Sequence, residues 1–163
     1  MFISRHRLIL FVLGVLSISA IGAALVAQHR FGMEPCPWCI LQRLLFAVIA
    51  ALALVAAILP SGLGRRLLAA LIVPIAGSGV AAALWQHYVA AHSTSCALTL
   101  ADRVITTLTL DEHWPEVFQV RASCADAVAY ILGVPFEFWS LALFALLGVL
   151  ALTCTFMRSR RHR

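Results

Sequence analysis

The stretch LLFAVIAALALVAAILPSGLG, residues 44–64, holds no charged side chain and lies between Arg43 and the Arg65-Arg66 pair. About 20 helical residues rising ~1.5 Å each cross a hydrocarbon core of about 30 Å, so this run is long enough to span a bilayer once. It lacks the short alternation of a membrane barrel strand, and a backbone in lipid must bond to itself, which makes it a helix. Outward from it lie three more uncharged runs, 8–29, 67–101 and 138–157. The run 67–101 outlasts one span, but its apolar part ends near Tyr88, before His92, Ser93, Thr94 and Ser95. The reading is an all-α integral membrane protein, a four-transmembrane-helix bundle forming one domain over 1–163, with spans near 8–28, 41–60, 67–88 and 137–157. Arg5 and Arg7 precede the first run as in an export signal. That run exceeds the 7–15 apolar residues of a signal core, however, and Gln28-His29-Arg30 follows it instead of a small-residue cleavage site, so the helix is expected to remain.

Composition agrees with this frame. Of 163 residues, 63% are hydrophobic and 12% charged, against about 45–50% and about 25% in a soluble domain. The net charge of +5 rests on too few charged residues to build a basic face with interleaved aromatics, which excludes nucleic-acid binding along with disordered and collagen-like chains. Lysine is absent, and the arginines are sorted. Arg5, Arg7, Arg65, Arg66, Arg158, Arg160, Arg161 and Arg163 have no acid among them, whereas all seven acids share the opposite side with Arg30, Arg43, Arg103 and Arg121. By the positive-inside rule both termini and the 61–66 link are cytoplasmic, and the loops 29–40 and 89–136 lie outside. Trp85, Trp114 and Trp139 fall near the expected interfaces.

Four of the five cysteines occupy those outer loops: Cys36 and Cys39 in the first, Cys96 and Cys124 in the second. Exported thiols tend to be oxidised. Cys154, near the inner end of the fourth span, reads as a small buried apolar residue. Cys36-Pro37-Trp38-Cys39 is the sharpest local feature. A CxxC pair serves as a redox dithiol, as a static disulfide or as half of a metal site. Zinc needs a second pair at ligand spacing, and Cys96 and Cys124 are 28 residues apart, with His92 and His113 scattered nearby, so no metal ligands are assigned. Pro35 and Pro37 restrict the backbone around Cys36 and favour a shaped turn at the head of the second helix. Cys39 then lies in the first turn, where free N–H groups favour a thiolate.

Arg43 is four residues beyond Cys39, one turn deeper on the same helix face. It is either an arginine snorkelling to head groups or a cation beside a thiolate and its electron acceptor. His87, at the outer end of the third span, falls at a similar depth, where an imidazole donates a hydrogen bond or relays a proton. In the long loop, residues 101–110 mix polar and apolar side chains in a way that suits a short helix on the membrane surface. Residues 124–130 suit another short turn, ended by Gly133 and Pro135. A bridge between Cys96 and Cys124 would stabilise the loop by about 3.6 kcal/mol on chain entropy alone, so a purely structural disulfide remains an alternative. Two cysteine pairs, a buried arginine and a histidine on one face suggest dithiol electrons moving from a flexible loop to a membrane-bound acceptor.

These elements together resemble a known family. Pro35-Cys36-x-x-Cys39-x-x-x-Arg43, His87 closing the third span, Cys96, the Trp114-Pro115-x-Val117-Phe118 run, Cys124-Ala125 and Trp139 opening the fourth span are similar, in order and over nearly the whole length, to the bacterial inner-membrane DsbB family. The resemblance implies a multi-pass inner-membrane enzyme with periplasmic cysteine loops, a quinone-dependent oxidase that re-oxidises a DsbA-like soluble thiol oxidase. It implies that reduced DsbA attacks Cys96, that Cys124 then meets Cys36, and that Cys39 becomes the thiolate beside a diffusible ubiquinone or menaquinone. Arg43 and His87 correspond to family residues placed near the quinone. Trp38 is a departure in the variable middle of the pair. Neither flavin nor haem is expected, because the chain has no dinucleotide glycine fingerprint and Ile40, not histidine, follows Cys39. Cysteine spacing alone leaves two alternatives, a membrane thiol reductant running electrons outward and a non-enzymatic metal-binding or structural disulfide module.

Overall fold

The computed structural model describes residues 5–92 and 99–156. Four long helices dominate it: α1 (Arg5–Phe31), α2 (Pro37–Ile58), α3 (Gly62–Tyr88) and α7 (Phe136–Phe156). All four are long and apolar enough to cross a membrane. Among the described residues between α3 and α7 lie a 3-10 turn (Ala90–His92), three short α-helices, α4 (Leu100–Thr107), α5 (Leu110–His113) and α6 (Pro115–Phe118), and a small hairpin of β1 (Tyr130–Ile131) and β2 (Val134–Pro135). The chain is an all-α membrane protein of four-helix type. Cys96 and the arginines beyond residue 157 lie outside the described residues.

The bundle core is built from Leu10 and Leu13 of α1, Phe46, Ile49 and Ala53 of α2, Ile72 and Ala76 of α3, and Phe144 and Leu147 of α7. Lipid is as apolar as leucine, so membrane helices gain from close packing rather than from hiding oily surface, and small residues let them approach. Gly79 shows how. A Cβ there would run into the Phe144 ring, and that ring stacks on Phe46 at 4.0 Å between centroids. Large apolar side chains such as Phe11, Ile18, Leu71 and Val149 point outward, as lipid-facing positions should. At the arginine end, Arg65 donates to the Leu59 and Pro60 carbonyls. There a ring nitrogen of the buried His6 also meets the Cys154 carbonyl at 2.8 Å, and Cys154 itself is fully buried.

The thiol end is closed by the segment after α3. Thr99 caps α4 reciprocally with Asp102, whose carboxylate accepts from the Thr99 N–H at 2.8 Å. This is a Thr-x-x-Asp capping box readable from sequence. Ala101 and Ile105, one turn apart, turn inward, and Ile105 joins Ile40 of α2 and Phe118 of α6 in a second apolar cluster. The helix expected at 101–110 thus runs from Leu100 to Thr107 and rests one face on the head of α2, leaving Leu100 and Leu108 exposed. The expected turn at 124–130 occupies 124–127, and a hairpin follows it. Leu132 and Gly133, at φ of 54° and 78°, form its two-residue turn. Gly133 tolerates that backbone freely, whereas Leu132 is an uncommon occupant.

Candidate functional site

Cys36 is the N-cap of α2. Its sulfur accepts from the Cys39 backbone N–H at 3.3 Å, and Pro37 occupies the first helical position, where its missing N–H costs nothing. The CxxC pair is therefore a helix head, with Cys39 one turn in. The two sulfurs lie 2.8 Å apart as hydrogen-bonded thiols. Trp38 packs its ring against Trp85 of α3, with centroids at 6.3 Å, which holds the turn against the third helix.

A backbone tie brings the second loop to this head. The N–H groups of Arg121 and Ala122 both donate to the Pro35 carbonyl, at 3.0 and 3.3 Å. Two residues later comes Cys124, whose thiol lies close enough to Cys36 and to the Trp38 backbone N–H for each to influence its charge. Cys36 thus stands between two other sulfurs. Its own burial pushes the Cys36 thiol well above the ordinary range. The hydrogen bond from Cys36 pulls Cys124 down, helped by the Trp38 N–H, against the opposing effect of burial.

Below the sulfurs a cavity of about 440 Å³ opens between α1, α2 and α7. Its walls are the α1 alanines 20, 23, 24 and 27 with Phe46, Leu143 and Leu146. Its polar lining comes from Glu34, Cys39, Gln42, Arg43, Gln86, Glu137 and Ser140, and Trp139 also lines it. Such a volume suits a small ligand, and the mixture of oily walls with a few converging polar groups is typical of ligand sites. A quinone fits this donor set: its ring and tail would lie on alanine, phenylalanine and leucine, and its oxygens would find donors in Arg43 and the glutamines.

Arg43 lines the cavity on the same face as Cys39, as the four-residue spacing requires. It does not snorkel. Only 5% of it is exposed, and its Nη1 donates to Gln28 Oε1 at 2.8 Å and to the Val117 carbonyl at 2.9 Å. Nη2 makes a long contact of 3.5 Å to the Ala24 carbonyl. The guanidinium therefore ties α2 to α1 and to the segment that carries α6. His87 is not among the cavity-lining residues. Its Nδ1 lies 2.7 Å from Glu137 Oε1, and it is Glu137 that faces the cavity.

Three groups at this site escape a reading of motifs. Gln86 donates to Cys39 Sγ at 3.3 Å and accepts from Gln42 Nε2 at 2.7 Å. Gln28 holds Arg43, and Glu137 holds His87. The available signal was that polar residues inside apolar spans face the bundle interior rather than lipid. Gln28, Gln42 and Gln86 all sit at one end of their helices.

Known proteins place the chain in the same terms. The family model "Disulfide bond formation protein DsbB" matches residues 6–154. Disulfide bond formation protein B 1 of Pseudomonas putida is 36% identical over 149 residues, covering 91% of this chain and 89% of the relative. Disulfide bond formation protein B of Pseudomonas syringae pv. tomato is 34% identical over 98% of this chain and 95% of its own. The protein of that name from Burkholderia thailandensis is 35% identical over 89% and 86%. With the four spans and the thiol cluster, these matches show that the chain belongs to the DsbB family, membrane proteins of disulfide bond formation.

Proposed function

We propose that this protein is a quinone-dependent disulfide oxidase of the bacterial inner membrane, with both termini cytoplasmic, that re-oxidises a DsbA-like periplasmic partner. The observation that carries the reading is the position of Cys36, whose sulfur neighbours both Cys124 on the loop and Cys39 on the helix beside the cavity. The first step is attack by the partner's thiolate on Cys96 in a Cys96–Cys124 disulfide, which forms a mixed disulfide and releases Cys124. Cys124, held toward its anionic form by Cys36 and Trp38, attacks Cys36 of a Cys36–Cys39 disulfide. Cys39 leaves as the thiolate, where Gln86 points an N–H at its sulfur. The partner's second thiol then resolves the mixed disulfide at its own sulfur. Cys96 returns to Cys124 and frees Cys36, so two electrons and two protons rest on the Cys36–Cys39 dithiol. Ubiquinone or menaquinone bound in the cavity supplies the two-electron sink that lets this pair close again. Arg43 and the glutamines orient it, and the alanine wall of α1 keeps water away.

The test is capture. Cys124→Ala removes the resolving thiol, so non-reducing gels of the variant mixed with reduced DsbA should show a stable adduct through Cys96. An adduct through Cys36 or Cys39 would overturn the division between an entry pair and a quinone pair.

A further inference from the structure

Closing a dithiol into a disulfide releases two electrons and two protons, and converting a quinone to a quinol takes up two of each. The protons must enter a cavity walled mostly by alanine, phenylalanine and leucine. Most polar residues lining it are poor donors. Arginine does not give up its proton, glutamine amides do not titrate, and the Ser140 hydroxyl is too weak an acid. Two carboxyl groups remain, Glu34 and Glu137. Glu34 is exposed on the link between α1 and α2, whereas Glu137 opens α7 with 6% of its surface exposed.

A carboxyl so enclosed is costly unless paired. Its partner is His87, 2.7 Å away through Nδ1. The His87 side chain keeps 30% of its surface exposed while that of Glu137 keeps 7%. Tyr88 and Phe138 flank the imidazole edge-on at 4.9 and 4.7 Å and fix its plane. One group of the pair is partly exposed near the outer end of α3 and the other lines the cavity, with a short hydrogen bond between them.

We propose that Glu137 is the proton donor to the quinone site and that His87 is the positioning residue that reconnects it to solvent. The proposal rests on the quinone reading given above. Glu137 hands one proton inward as the Cys36–Cys39 bond forms, and its carboxylate recovers a proton through the imidazole. The dithiol loses two electrons and two protons and the quinone gains two of each: Glu137 supplies one quinone proton and recovers one through His87, one dithiol proton passes to the other quinone oxygen, and the second dithiol proton leaves to solvent, so the pair returns to its starting charge.

The experiment uses the full-length protein in detergent with a soluble ubiquinone analogue. Quinone binding is read from quenching of tryptophan fluorescence, since Trp139 lines the cavity. Carboxyl protonation is read from time-resolved infrared difference spectra taken after quinone is mixed with the reduced protein, before the carboxylate is refilled. In Glu137→Gln, binding should stay within about twofold, the carboxyl band should vanish, and quinone reduction should fall on the order of a hundredfold, as for loss of a general acid. Glu137→Asp should restore part of the rate. His87→Gln keeps a side-chain donor but cannot carry a proton; it should retain the band at a shifted position and slow reduction. A carboxyl band that persists in Glu137→Gln, or that disappears in Glu34→Gln instead, overturns the assignment. A wild-type reduction rate in either Glu137→Gln or His87→Gln does so too. Failure of the wild-type protein to bind the quinone removes the underlying reading, an outcome distinct from intact binding with an indifferent Glu137.

Discussion

Arg43→Ala separates a structural from a chemical role for the buried guanidinium. In the folded protein Nη1 serves two acceptors, Gln28 Oε1 and the Val117 carbonyl, and the residue is 5% exposed. Alanine leaves both acceptors without that donor. Each buried group left unpaired costs about 1–3 kcal/mol, so the expected loss is about 2–6 kcal/mol before any cavity is counted. For a chain of this size 1 kcal/mol moves the midpoint by about 2–4 °C, so thermal unfolding in detergent should drop by at least about 4 °C. Because Val117 belongs to the loop that delivers Cys124, formation of the DsbA adduct should weaken together with quinone reduction. Arg43→Lys is the discriminating variant. An ammonium keeps the charge but lacks the planar fork, so it can hold one acceptor well and should recover roughly half of the stability. Measured at a temperature where it is fully folded, this variant should capture DsbA normally and reduce quinone slowly. An unchanged unfolding midpoint in Arg43→Ala would refute the tethering argument. Wild-type quinone kinetics in folded Arg43→Lys would refute the role of the fork in the cavity.

Three further outcomes follow from the same geometry. In the reduced protein, the pH midpoint for alkylation of Cys124 should lie below the ordinary thiol value of about 8.5 and rise in Cys36→Ala, because a hydrogen bond to the anion lowers a pKa and its removal raises it; a midpoint that does not move, followed by mass spectrometry, would mean Cys36 is not the donor. Gln86→Leu removes the N–H at Cys39 and leaves the Gln42 amide without its acceptor, a loss of about 1–2 kcal/mol that should slow single-turnover quinone reduction by about 5–30-fold while sparing the DsbA adduct; equal loss of both would indicate general disruption. In intact spheroplasts an impermeant thiol reagent should label Cys124, whereas a cysteine at the exposed Leu63 should label only after lysis, and the reverse pattern would invert the orientation.

The spans were legible because lipid imposes a length and forbids charge, and both constraints are written in one dimension. The head of α2 was legible for a similar reason, since a proline at the first helical position and a capping side chain before it are local features of Cys36-Pro37. Pairing across the bundle was not legible in the residues themselves and came only from the family resemblance, which implies that Cys124 meets Cys36. That Cys124 meets Cys36 depends on two backbone N–H groups finding the Pro35 carbonyl, and backbone groups carry no sequence signature. The histidine was visible at the end of the third span, but its partner was hidden. Glu137 entered the charge count as one acid among seven, and the direction it faces is set by how α7 rotates against α3. Gln28 read as the polar end of a span for the same reason, although it is what keeps Arg43 inside rather than among head groups.

The three sulfurs divide into a fixed and a movable set, and that division follows from how each is held. Cys36 is fully buried, flanked by Pro35 and Pro37, and bonded into the first turn of a membrane helix, so moving it would require unwinding that turn. Cys124 sits in an irregular turn tied to the helix head by the two bonds to Pro35. Net contributions of about 0.5–1.5 kcal/mol per backbone bond put release of this tie at about 1–3 kcal/mol, an opening cheap enough to be populated under native conditions. Exchange with a soluble partner needs a cysteine that can leave the membrane surface, whereas exchange beside an apolar cavity needs one that cannot. In the proposed reaction the loop therefore travels to Cys36, and Cys36 and Cys39 stay registered to the cavity through every turnover.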